Sequence, residues 1–206
     1  MQFLQLMHKI IEVGENKMRI LAINGHPDEK SYISALFQTY VAHIDQRKHE
    51  LELLELGKMS FDPVLRYGFR KKMEIDKEII RSQELLKWAD HIVFFYPIWF
   101  ETVPSLLKGW FERVLTPGVA YNVDGYRVKK HLKGKTAHLI STSMAPKIYQ
   151  VLKGDIELKT VKRTLSFCGI KVKVIDRLGH YVMGKYESER KRNIFLNHIA
   201  NRAKNL

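Results

Sequence analysis

The sequence predicts an α/β protein built on a doubly wound, five-stranded parallel sheet with helices on both faces, and three observations carry that expectation. Residues 19–24 (RILAIN) and 92–96 (IVFFY) are short apolar runs that read as strands buried on both faces. Each is followed by a turn and then a helical stripe: Ile33, Leu36, Phe37, Tyr40, Val41 and Ile44 after the first, Val103, Leu106, Leu107, Trp110, Phe111 and Val114 after the second. The strand-then-helix alternation continues along the chain, whose 206 residues suit one domain.

Residues 1–17 stand before the first strand. Phe3, Leu6, Met7, Ile10 and Ile11 suit a short amphipathic helix and residues 14–17 a break, so this stretch is expected to be an extension outside a single domain spanning 18–206. It lacks the apolar core and small-residue cleavage site of a secretory signal. Residues 50–55 (ELELLE) give a second strand, while 56–70 show too little periodicity to assign. Ile75, Ile79 and Leu86 mark a helix that ends near Trp88. The helix from Val103 takes Pro104 into its first turn and is stopped by Thr116-Pro117-Gly118. A polar excursion then runs to Lys133, long enough to reach across a ligand or a partner subunit. Residues 135–141 are a fourth strand, 155–167 a helix, 171–177 a fifth strand and 186–203 a basic closing helix.

In open α/β sheets ligands bind beyond the carboxyl ends of strands at the topological switch point. Three loops converge there, after Asn24, after Tyr96 and after Ile140. The first, GHPDEKS, places Ser31 and the opening N–H groups of a helix at a positive dipole end, where a phosphate is a natural occupant and where His26 or Lys30 adds hydrogen bonds. Ser31 equally reads as a simple N-cap. Neither GxxxxGK[ST] nor GxGxxG is present. In the second loop, Trp99 and Phe100 either wall a flat ligand or merely cover the sheet end.

Composition narrows the classes. A net charge of +13 raises the local concentration of anions, polyphosphates included. The basic runs do not interleave aromatics, so they read as solvated faces and no nucleic-acid partner is expected. No apolar run approaches the roughly 20 residues of a membrane helix, and no stable membrane insertion is expected. The single cysteine, Cys168, cannot form an internal disulfide, which suits a reducing cytoplasm, and in TLSFCGI it reads as a core thiol. No metal-ligand pattern is expected to operate.

The segment YPIWFETVPSLLKGWFERVLTPGVAY, the GHPxxxS loop, and the weaker HxxGK and SFCGI together resemble the flavodoxin-fold NAD(P)H:quinone oxidoreductases, among them DT-diaphorase-type enzymes and the ancillary reductases of bacterial potassium-efflux channels. The resemblance runs from Met18 to about Ala203. It implies strand order 2-1-3-4-5 and a homodimer that carries hydride from NAD(P)H through a flavin, FMN with FAD as the alternative, to a quinone-like acceptor. It also implies that His26, Ser31 and Ile33 lie along the flavin phosphate, and that Pro97, Ile98, Trp99 and Phe100 frame the ring. Ser141, Thr142, Ser143 and Met144 would take its other edge, and Tyr149 matches a tyrosine assigned a part in hydride transfer. The helix carrying Trp110 and residues 118–133 are the expected two-fold contact. Several positions depart from the family pattern: Ile33 replaces a frequent Asn, Ser143-Met144 replaces Gly-Gly, Glu101 replaces an aromatic, and Asp155 replaces a histidine. These departures motivate a second reading, a flavin-binding regulatory subunit with little turnover.

Overall fold

In a computed structural model of the chain, residues 17–68, 70, 71, 73, 74, 76–179 and 186–206 are described. The expectations for residues 1–16 and for Ile75 lie outside them. Five parallel strands form the main sheet: β1 (Met18–Asn24), β2 (His49–Glu55), β3 (His91–Pro97), β6 (Thr136–Thr142) and β7 (Lys171–Leu178). Their order is β2-β1-β3-β6-β7, which is the expected 2-1-3-4-5 when only these five are counted. The excursion after Tyr121 is itself ordered, as an antiparallel hairpin of β4 (Tyr121–Asp124) and β5 (Arg127–Lys130).

Alternation along the strands divides the core between the two faces of the sheet, as a period of two requires. On one face Leu21, Ile23, Ile92, Phe94 and Tyr96 pack under three helices: α2 (Lys77–Trp88), α3 (Ser105–Val114) and α5 (Ile156–Cys168). Opposite, Ile20, Ala22, Val93 and Phe95 meet α1 (Tyr32–His43) and α6 (Tyr186–Lys204). Because both faces are covered, β3 is buried at all seven positions, which is why it reads as a continuous apolar run.

Local chemistry sets the helix ends. Ser31 caps α1, its Oγ accepting the Ser34 N–H at 3.1 Å, and Asp76 caps α2 by accepting from Ile79 N–H at 2.9 Å. Pro104 occupies the N-cap of α3 rather than its first turn, and Val103 lies just outside that helix. Trp110 serves the core of the molecule. It is fully buried, its Nε1–H donating to Ser82 Oγ at 3.1 Å, so this side chain belongs to the packing of α3 on α2. Burial pushes the Cys168 thiol up to about 11, in keeping with a core thiol.

Candidate functional site

The first βα loop is tied to the sheet by a buried asparagine. Asn24 Oδ1 accepts the His26 N–H at 3.1 Å and its Nδ2 donates to Ser34 Oγ at 2.9 Å, so both ends of the amide are satisfied. Gly25 passes so near α3 that a Cβ would meet Leu107 at 2.9 Å, and no larger residue fits without a shift. The Asp28 N–H donates to His26 Nδ1 at 2.9 Å, which places the proton of the neutral ring on Nε2. Burial lowers the His26 pKa, favouring that neutral donor. Beyond it, the first turn of α1 presents N–H groups that intrahelical bonding leaves over, with Ser31 at the cap and Ile33 on the first turn. The loop therefore offers a neutral hydrogen-bond donor and a helix N-terminus to an anion.

The second loop begins at Pro97. Ile98 N–H donates to Thr142 O at 2.7 Å, joining this loop to the third. Trp99 and Thr102 then exchange backbone hydrogen bonds at 2.9 and 3.0 Å, closing a two-residue turn. Its central residues, Phe100 and Glu101, have φ of 49° and 58°, as a type I′ turn demands of residues that are usually Asn or Gly. Trp99 packs edge-on against His26, with ring centroids 5.3 Å apart, so the first two loops touch through their aromatic rings. Phe100 points fully into solvent at the rim.

Thr142, Ser143 and Met144 open the third loop and line the cleft, with Met144 exposed. Ser141 is buried in β6 and is not among the lining residues. Ser143 N–H donates to Leu178 O at 2.9 Å and its hydroxyl to Ala145 O at 2.8 Å. A short helix that the sequence pattern does not reveal, α4 (Lys147–Leu152), follows at once and carries Tyr149 to the rim. The Lys153 ammonium stands 5.7 Å from the Tyr149 ring centre.

These loops enclose one cleft of about 760 Å³. Of the twelve residues singled out from the sequence, all but Ser141 line it. The structure adds a polar floor that sequence reasoning missed: Gln150, Glu157 and Arg177, with Tyr96 behind them. The available signal was the adjacent pair Asp176-Arg177 in an otherwise apolar-alternating strand, charges that a buried sheet end must neutralise. Burial raises the pKa of both Tyr96 and Glu157, and each is bonded to the other. A cleft with a helix N-terminus at one end, aromatic and aliphatic walls, and few polar groups matches the demands of a flat, phosphate-bearing cofactor. Among the described residues no cluster has the make-up of a metal site, and no helix is long and apolar enough to cross a membrane.

Comparison with known proteins agrees with this geometry. A family described as having a flavodoxin-like fold matches residues 18–198. The chain is 28% identical over 180 residues to the mouse (Mus musculus) ribosyldihydronicotinamide dehydrogenase [quinone], covering 75% of this chain and 78% of that protein. The crystal structure of Smu.1420 from Streptococcus mutans superposes with a TM-score of 0.80 at 27% identity, covering 92% of this chain and all (100%) of that one. An FMN-dependent NADH-azoreductase from Bacillus anthracis, solved with FMN, shares the fold with a TM-score of 0.66 at 16% identity, covering 90% of this chain and 99% of its own.

Proposed function

The chain belongs to the family with the flavodoxin-like fold, and from that premise we propose that it is a flavin-dependent NAD(P)H oxidoreductase that reduces quinones or similar small acceptors. The observation that carries the reading is the convergence of three βα loops on one cleft that ends at the N-terminus of α1. The names of its relatives support the same chemistry: a quinone dehydrogenase among sequences and an FMN-dependent NADH enzyme among structures.

Flavin, when bound, supplies the two-electron chemistry, accepting hydride from the nicotinamide and passing reducing equivalents onward. The protein's task is to hold, orient and shield. Ser31, the first turn of α1 and the Nε2–H of His26 receive the phosphate. Trp99 and Pro97 offer an apolar wall, and the backbone of residues 142–145 the opposite one. N–H groups directed at the pyrimidine edge would stabilise the negative charge that reduction brings there. Tyr149, on the rim helix, is the residue we assign to hydride transfer, as an orienting hydroxyl at the mouth of the cleft. No side-chain nucleophile is required.

FMN is the cofactor we favour over FAD, in line with the FMN carried by the Bacillus anthracis structure that shares the fold. We further read the protein as a homodimer of the cytoplasm, and the β4–β5 hairpin supports a two-fold contact through its exposed Val123 and Tyr126. Light scattering that returns a monomer would remove that part. The deciding experiment is release of the cofactor by denaturation and its identification by chromatography. FMN is the expected product; a colourless protein that takes up neither FMN nor FAD sinks the reading.

A further inference from the structure

Beneath the third wall of the cleft lies a buried polar chain to which the chemistry above assigns no task. Arg177, near the end of β7 and with its side chain only 6% exposed, directs Nη1 to Gln150 Oε1 at 2.8 Å and to Asp155 Oδ1 at 2.6 Å. Its Nη2 donates to Glu157 Oε2 at 2.7 Å. Glu157 in turn accepts from the Tyr96 hydroxyl on β3, and the Gln150 amide donates to the Ser143 hydroxyl. One guanidinium thus links the loop after β6, the helix α4 and the start of α5 to two strands of the sheet.

Two further observations show that little else holds this segment. Helix α4 has no buried residue, and Ile148, Val151 and Leu152 are all largely exposed, so it is seated by little apolar burial. Asp155 stands at the N-cap of α5 with a left-handed φ of 49° and makes no side-chain cap. Its carboxylate goes to Arg177 instead, so the cap position is given over to the clamp.

We infer that Arg177 is a positioning residue for the cleft: it fixes residues 143–157, and with them Met144 and Tyr149, in the shape that meets the cofactor. Its functional consequence rests on the flavin reading above, whereas the clamp itself does not. Arginine suits the role because a planar fork addresses three acceptors at set angles, which a lysine ammonium on a flexible stem does not reproduce.

The test compares the full-length wild type with Arg177→Met, Arg177→Lys and Gln150→Leu. In the flavin-free proteins, amide hydrogen exchange across residues 143–157 is expected to accelerate about tenfold or more in Arg177→Met and Gln150→Leu, with β1 and β3 unchanged and Arg177→Lys between. With FMN, the same variants are expected to bind about tenfold more weakly and to lose kcat more than they gain in KM, again with partial rescue by lysine. Weaker FMN binding with unchanged exchange would make Arg177 a charge felt directly by the ligand and overturn the proposal. Unchanged exchange and binding would overturn it equally. Should Arg177→Met lose protection throughout the chain, Gln150→Leu decides, because it breaks the link without leaving a buried charge unpaired. A wild type that binds no flavin defeats the functional reading, while the exchange comparison still judges the clamp.

Discussion

Among the described residues, every non-glycine position with a left-handed φ (Phe100, Glu101 and Asp155) lines the same cleft. Such conformations cost of order 1–3 kcal/mol each and persist where the surroundings over-determine them. Replacing Glu101 by Gly should therefore stabilise the flavin-free protein by about 0.5–1 kcal/mol, the relief of strain being offset in part by the added freedom of the unfolded chain. Urea unfolding measures it, and a loss of stability would show that the Glu101 side chain holds the turn. Tyr149 lies outside the buried hydrogen-bond chain, so Tyr149→Phe is expected to keep full flavin content and lower kcat, by about 100-fold if its hydroxyl takes part in proton transfer. Steady-state kinetics with a quinone acceptor give the answer, and an unchanged kcat removes Tyr149 from the chemistry. His26, Ser31, Trp99 and Phe100 were legible through local signatures, a cap serine before a helical stripe and an aromatic turn after a buried strand, whereas Ile33, residues 141–144 and Tyr149 were reached only through the family resemblance. Arg177 was not legible, since its partners lie 20, 22 and 27 positions away and no local pattern joins them.

The same contrast holds for elements. Strands and long helices declared themselves through apolar runs and periodicity, yet residues 56–70 did not. An anchor for this stretch comes from outside it: Arg113 of α3, buried, donates to Asp62 O at 2.6 Å and, further along the chain, to Glu74 O at 3.1 Å. Helix α6 is fixed to the sheet by a comparable device. Asp176 accepts from His138 Nε2 at 2.8 Å, from His198 Nε2 at 2.7 Å and from Arg202 Nε at 3.1 Å. Burial opposes ionisation of this carboxyl, but these hydrogen bonds outweigh it and hold its pKa well below the usual range. Asp176→Asn should destabilise the fold by about 3 kcal/mol, read from denaturant midpoints. Acid sensitivity has another source. Burial, with His138 and His49 adding to it, lowers the pKa of His91 from 6.5 to about 4. Between those values the unfolded chain holds the extra proton, so stability is full above pH 6.5 and falls as pH drops, by about 2 kcal/mol at pH 5. A His91→Leu variant should show a correspondingly flatter profile between pH 7 and 5; identical slopes would place the acid sensitivity elsewhere.

At the scale of the whole molecule, a charge of +13 should speed encounter with anionic nicotinamide nucleotides. The expected result is a several-fold fall in kcat/KM for NAD(P)H as salt shortens the screening length, with kcat unchanged. Flat kcat/KM across that range would mean that the charge serves another end. An open sheet also leaves two flanks, which among the described residues belong to β2 and β7. A free strand invites another chain to add itself by backbone bonding. On β7 the solvent-facing Lys171 and Lys173 meet any like copy with charge of the same sign, whereas β2 presents Glu50 and Glu52. Copies that approach through matching flanks are repelled, but β7 of one molecule and β2 of another attract. Linear stacking at low ionic strength, dissolved by salt, is thus the form of self-association against which this sheet has the least defence.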